Sequence, residues 1–292
     1  MKMSFWITIK QKGFSKKTLP LEVILGEKLK YGAFSGDCLQ KGVLGESEFI
    51  AYDPEHIGRG FSVTWTPKEK KKIEFRLLIP STPEELRDVF DAAERVASYW
   101  NASIVADDTK MKLPAFREYY NEMVKHNENM LKHFSNEIIN GTYETLTLYS
   151  ALFPLHISRE EAEVFANDPE AYFRWLHEKQ SVDAAYSSPS FFMKENGEIC
   201  GIFRFVKGKS HIFPVKPTVP FGVTDPRTGK ALECNDYGIV FFEKEDDENP
   251  EASMSYSEFL ARTENFGKQK FTAELFLLPT LSDEDYAELT EK

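Results

Sequence analysis

One short stretch of this 292-residue chain gathers the side chains that acid–base chemistry uses. Asp53-Pro54-Glu55-His56-Ile57-Gly58-Arg59-Gly60 carries two carboxylates, an imidazole and a guanidinium in a predicted loop beside a strand. A hydrolase-like reaction needs such groups to converge in a pocket. Asp53, His56 and Arg59 are therefore the candidate catalytic residues. Neighbourhood in sequence does not establish convergence, and the segment has an architectural reading as well. The glycines on either side of Arg59 let the chain turn into the strand that begins at Phe61.

The rest of the chain offers little further site chemistry. It has no HExxH, no nucleophile elbow, no Walker A loop and no dinucleotide fingerprint. Residues 222–230 hold glycines and a lysine at the wrong spacing for a phosphate loop and read as a turn. Cys38, Cys200 and Cys234 are too far apart for a zinc ribbon or a redox CxxC pair and read as reduced thiols. His126 follows Glu122 by four residues and His133 precedes Glu137 by four, the spacing of ion pairs on a helix surface. No third ligand stands near either pair, so no metal and no cofactor is expected. Tyr186, Phe191, Phe192, Phe203, Phe205, Phe213 and Phe221 make either a β core or the lining of a peptide groove.

Charge narrows the partners. The formal net charge is −11. Residues 1–72 hold 13 Lys/Arg against 8 Asp/Glu, whereas residues 243–292 hold 14 acids against 5 bases. Most of such a surface repels a polyanion, so no nucleic-acid partner is expected. The acidic end suits a basic protein partner, and it also reads as a solubilising face. No apolar run approaches the ~20 residues of a membrane span. The first ten residues lack the long apolar stretch of a signal peptide. The expectation is a cytoplasmic protein with no membrane partner; its oligomeric state is not legible.

These residues need a scaffold, and patterning predicts an α+β one. Phe61, Val63 and Trp65, then Ile73, Phe75, Leu77 and Ile79, alternate across a charged turn, which predicts an antiparallel hairpin over 61–79. Thr82, Pro83 and Glu85 form a capping box opening a helix over 83–100, with Leu86, Val89, Ala93, Val96 and Trp100 on one face. A second helix is predicted over 115–139, with Phe116, Tyr120, Met123, Met130, Leu131, Phe134 and Ile138 on an apolar face that Asn127 interrupts. Thr18 is expected to cap a short helix over 19–25. Strands are predicted over 5–9, 104–106, 145–153, 190–194, 199–206, 237–242 and 271–278. A helix from Ser158 is expected to break at 167–169. Antiparallel and mixed sheets thus pack on amphipathic helices, and the C-terminal half is richer in strand. The expected organisation is an α+β unit over 1–141 and a β-rich α+β unit over 142–292, with a single compact domain as the alternative.

Two segments carry a family resemblance. Gly58-Arg59-Gly60-Phe61-Ser62-Val63-Thr64-Trp65 and Phe75-Arg76-Leu77-Leu78-Ile79-Pro80-Ser81-Thr82-Pro83-Glu84-Glu85 resemble a family of uncharacterised bacterial proteins of about this length, the domain of unknown function DUF4299. The resemblance implies a bacterial source and a cytosolic setting and assigns no catalytic residue. Taken together, the expected function is a non-enzymatic binding or regulatory protein that recognises another protein. The alternative is an enzyme acting through Asp53, His56 and Arg59.

Overall fold

The predicted hairpin is the spine of the first half. Phe61 and Val63 on one strand, with Ile73, Phe75 and Leu77 on the next, turn one face inward and are buried. The strands pair antiparallel with Val63 opposite Phe75. A computed structural model of the protein describes residues 3–13, 16–220 and 222–291. The N-terminal elements are β1 (Ser4–Lys10), α1 (Leu21–Leu25), β2 (Lys30–Ser35), β3 (Cys38–Lys41), β4 (Glu48–Tyr52), β5 (Phe61–Thr64), β6 (Lys72–Leu78), α2 (Pro83–Trp100), β7 (Ile104–Ala106), β8 (Thr109–Met111) and α3 (Leu113–Ile139). A small hairpin of β9 (Leu146–Leu148) and β10 (Leu155–Ile157) follows, then α4 (Arg159–Phe165) and α5 (Pro169–Gln180). Eight strands make one sheet in the order β3-β2-β4-β5-β6-β1-β7-β8.

One face of that sheet is closed by α2. Thr82 accepts from the Glu85 N–H, Glu85 reaches back to the Thr82 N–H, and Pro83 fills the first turn. These satisfy backbone groups that a helix start leaves open. The stripe Leu86, Val89, Ala93, Val96 and Trp100 joins Phe5, Ile7, Phe75 and Leu77 in one core. Glu84, Arg87, Asp91 and Ser98 point to solvent. A smaller cluster of Leu39, Tyr52, Ile57 and Ala151 forms a second core.

The remaining elements are β11 (Ala185–Tyr186), β12 (Ser190–Met193), β13 (Ile199–Val206), β14 (His211–Pro214), β15 (Asp236–Phe242), β16 (Ala252–Ser255), α6 (Tyr256–Thr263), β17 (Gln269–Lys270), β18 (Leu275–Leu278) and α7 (Asp283–Thr290). They form two four-stranded sheets, β11-β14-β18-β17 and β12-β13-β15-β16. The second mixes parallel and antiparallel pairs, since β13 and β15 run parallel. Phe203, Phe205 and Phe213 of the aromatic-rich segment are fully buried here with Phe241, Tyr256 and Phe259, whereas Tyr186 and Phe191 are half-buried and Phe192 is 55% exposed. Phe221 lies outside the described residues.

Contacts divide the chain into residues 1–35 with 39–181, and 36–38 with 182–292. The division falls after Ser181 and not at residue 141, because α4 and α5 pack on α3. Four local expectations also change. Thr18 caps nothing: α1 starts at Leu21 behind Pro20. The preceding backbone is tied to the hairpin, with the Leu19 N–H donating to Glu69 and the Trp65 indole to the Leu19 carbonyl. α3 runs over Leu113–Ile139, and Asn127 is buried along with Phe116, Met123, Met130, Leu131 and Ile138 instead of marking a gap in that side of the helix. Of 145–153, only Leu146–Leu148 is strand. Beyond it, the Ala151 N–H bonds to Gly58 and the Leu152 N–H to Gln180, so the backbone leaves the ladder. Of 271–278, only Leu275–Leu278 is strand, since the Phe271 and Thr272 N–H groups both turn back to the Leu275 carbonyl.

Candidate functional site

The β4–β5 connection, residues 53–60, lies against the first two turns of α2, and Glu85 joins them. One Glu85 oxygen accepts from the Gly60 N–H at 2.5 Å. The other accepts from the Ser81 hydroxyl and from the Thr82 N–H at 3.3 Å. The capping carboxylate thus serves two elements at once. The approach requires glycine at 58, where a Cβ would stand 2.7 Å from a Glu85 oxygen.

Arg59 is buried beside this carboxylate. Its Nε donates to the Tyr149 carbonyl at 3.0 Å and its Nη1 to the Pro80 carbonyl at 3.1 Å. The Tyr172 hydroxyl of α5 donates to the same Pro80 carbonyl at 3.0 Å. Burial lowers the Arg59 guanidinium from its ordinary value, against the attraction of Tyr172 and Glu85, and raises the Tyr172 phenol. Arg59 therefore ties its own loop to two other backbone segments through their carbonyl groups.

Asp53 belongs to a different cluster. Its Oδ1 accepts from the Glu55 N–H at 3.0 Å, and its Oδ2 lies 3.1 Å from Lys28 Nζ. The same ammonium meets Asp88 Oδ1 at 2.5 Å. Both aspartates are buried, while the Lys28 side chain is 53% exposed. Burial pushes the Asp88 carboxyl up to about 6, only partly opposed by Lys28. His56 is exposed, and its ring lies 6.2 Å from that of His177 on α5.

The three candidates are thus neighbours that serve separate ends: Asp53 binds Lys28, Arg59 binds backbone, and His56 faces outward. Their polar contacts, as placed, hold a loop to a helix and leave no common point at which all three meet. Sequence reasoning missed Lys28, Asp88, Tyr172 and His177. Asp88 carried a legible signal, since it follows Glu85 by three on the buried side of α2. Lys28, Tyr172 and His177 carried none, because tertiary packing alone brings them here. His126 and His133 make no ion pair with Glu122 or Glu137 among the described residues. Among those residues no group of three or more His, Cys, Asp or Glu is placed to hold a metal.

A family model described as a domain of unknown function (DUF4299) matches residues 4–289, nearly the whole chain. The chain belongs to the DUF4299 family. The match runs through both compact units. No curated protein and no solved structure matches the chain.

In the second unit of the DUF4299 chain the titratable side chains are also mostly committed. His211 is buried between Ser187, 3.4 Å from Nδ1, and the Val206 carbonyl, 2.9 Å from Nε2. Burial pushes its imidazole down to about 4, so it is neutral at pH 7 and welds β14 to the end of β13. A cleft of about 520 Å³ is lined in part by Glu198, Asp225, Arg227, Lys230 and Asp236. Arg227 there is held by both Asp225 oxygens, at 2.9 and 2.7 Å, and Asp236 pairs with Lys194. The acidic runs are different. Lys207 lies 4.0 Å from Glu243 and 2.8 Å from Asp283, which joins the 243–251 loop to the first turn of α7. Residues 243–251 and 283–285 together hold nine carboxylates and one cation, Lys244, while Lys209 pairs with Glu245 and Arg204 bonds to the Glu245 and Asp247 carbonyls. Folding therefore concentrates charge that the sequence holds in two separate runs.

Proposed function

We infer that the protein is a non-enzymatic binding protein that recognises a basic protein partner. A bacterial, cytoplasmic setting is part of the same reading. The observation that carries it is the joining of the 243–251 loop and the α7 start through Lys207 into one surface with an excess of carboxylate. Such a surface steers a cationic partner and repels nucleic acid. The commitments of Asp53 to Lys28 and of Arg59 to backbone carbonyls weigh against the hydrolase-like alternative. Affinity capture from a bacterial lysate at low and at high salt tests the reading, because surface electrostatics weakens as the Debye length shrinks. A specific basic protein retained at low salt is the expected result. Capture of none at low salt refutes it.

A further inference from the structure

The β12-β13-β15-β16 sheet buries one face and leaves the other partly open, since Val206 and Phe242 at one end of that second face are buried as well. Phe203, Phe205, Ile239 and Phe241 face the core. Strand alternation places Phe192, Cys200, Ile202, Arg204, Gly238 and Val240 on the opposite side. The register sets Phe192 beside Cys200, Ile202 beside Gly238, and Arg204 beside Val240. Phe192 is 55% exposed, and Ile202 and Val240 are half-buried. The charges on this face are already used. Arg204 lies over the Phe242 ring at 3.6 Å and donates to the Glu245 and Asp247 carbonyls at 2.7 and 3.0 Å, and Asp236 pairs with Lys194. A centre poor in free charge and surrounded by a polar rim is how protein interfaces are built. The Arg204 bonds also fix which rim this is: they lay the acidic 243–251 loop along the end of the open face.

We propose that this open sheet face, with the acidic loop as its rim, docks an amphipathic segment of the partner whose apolar side chains alternate with lysine or arginine. Apolar side chains cover Phe192, Ile202 and Val240, and the cations reach the carboxylates of Asp246 and Glu248, which carry no ion pair among the described residues. The proposal rests on the binding-protein reading and gives that reading an address.

The probe is a short synthetic peptide alternating Leu and Lys, with a Leu–Glu peptide as control, titrated into the full chain and followed by backbone amide NMR. The Leu–Lys peptide is expected to shift Phe192, Ile202 and Val240 and to bind at least about tenfold more weakly to the Asp246→Lys, Glu248→Lys variant. Those two positions are exposed, so the variant tests charge without touching the core. Shifts confined to another surface, unchanged affinity in the variant, or equal binding of the Leu–Glu peptide overturns the proposal. So does self-association of the chain mapped to this face, which assigns it to a second copy. The two readings fail separately. A basic partner captured equally by the native chain and by Val240→Lys overturns the face and leaves the binding function standing. No partner captured by the native chain overturns both.

Discussion

Asn127, midway along α3, holds Ser81 by both backbone groups. Its Oδ1 accepts from the Ser81 N–H at 2.8 Å and its Nδ2 donates to the Ser81 carbonyl at 2.7 Å. Both residues are buried. The carboxamide thus completes the short connection between β6 and α2, where Pro80 contributes no N–H. Asn127→Leu fills similar volume but strands a buried donor and a buried acceptor, each costing about 1–3 kcal/mol. A loss of about 2–5 kcal/mol in urea unfolding is expected. A loss below about 0.5 kcal/mol, the surface range, would refute the assignment.

The Lys28 bridge makes a prediction about pH. Lys28 loses hydration, but the hydrogen bonds it donates to Asp88 and Asp53 outweigh that loss and raise its ammonium, so it stays charged through the acid range. Asp88 governs the titration, because burial lifts it from 3.8 to about 6. Between those values the folded chain holds a proton that the unfolded chain has released. Folding stability from Asp88 is therefore greatest below about pH 4 and declines as pH rises to about 6, by about 3 kcal/mol in all. Urea unfolding of Asp88→Asn, compared with the native chain at several pH values, is expected to lack this slope. Equal slopes in the two proteins would remove Asp88 as its source.

Removing the cation leaves two buried carboxylates facing each other. Lys28→Met is expected to cost about 1–3 kcal/mol at neutral pH, the range for leaving a buried polar group without its partner, because the half-exposed ammonium is itself partly screened by solvent. The cost should shrink as pH falls from neutral, because losing Lys28 lifts the Asp88 carboxyl further and lets it take up a proton. A cost independent of pH would show that Lys28 acts through its methylene stem.

How much of this was legible follows from where each interaction lies in sequence. The hairpin and α2 were readable because alternation, the capping box and the apolar stripe are local patterns. Glu85 was readable as a cap, but its bond to Gly60 spans 25 residues and has no local signature. Asn127 looked like a flaw in an apolar face, because its partner lies 46 residues earlier. Strand ends at 149–153 and 271–274 were overestimated for the opposite reason. Their side chains suit a sheet, yet their backbone groups are taken by Gly58, Gln180 and Leu275. The loop at 53–60 was singled out for its residue types, and types do not reveal that Arg59 is spent on carbonyl oxygens.

Gly58 and Glu85 should be energetically coupled. Gly58→Ala drives a methyl group toward the carboxylate, and relief means breaking the bond to Gly60 or the capping box. An expected cost is about 1–3 kcal/mol, typical of overpacking. Glu85→Ala alone strands the N–H groups of Gly60 and Thr82 but removes the obstacle. The double variant should therefore be no worse than Glu85→Ala by more than about 0.5 kcal/mol, a coupling well outside simple additivity. Additive losses would mean that the alanine methyl group meets some other part of the loop.

Trp100 tests the packing of α2 on the sheet. It is 5% exposed at the C-terminal end of the helix, in the same core as Phe75 and Leu77. Its indole Nε1 donates to the Lys17 carbonyl at 3.1 Å, so the ring also fastens the chain that leads into α1. Trp100→Ala removes that bond and opens a cavity, and a loss of about 3–5 kcal/mol is expected, as for other large aromatic truncations. Trp100→Phe keeps most of the volume and loses only the hydrogen bond, so about 1–2 kcal/mol is expected. The ratio separates the two roles. Equal losses in both variants would mean the ring volume matters little and the tie to Lys17 carries the effect. A loss below about 1 kcal/mol in Trp100→Ala would refute the packing of 61–100 as one hairpin-and-helix unit.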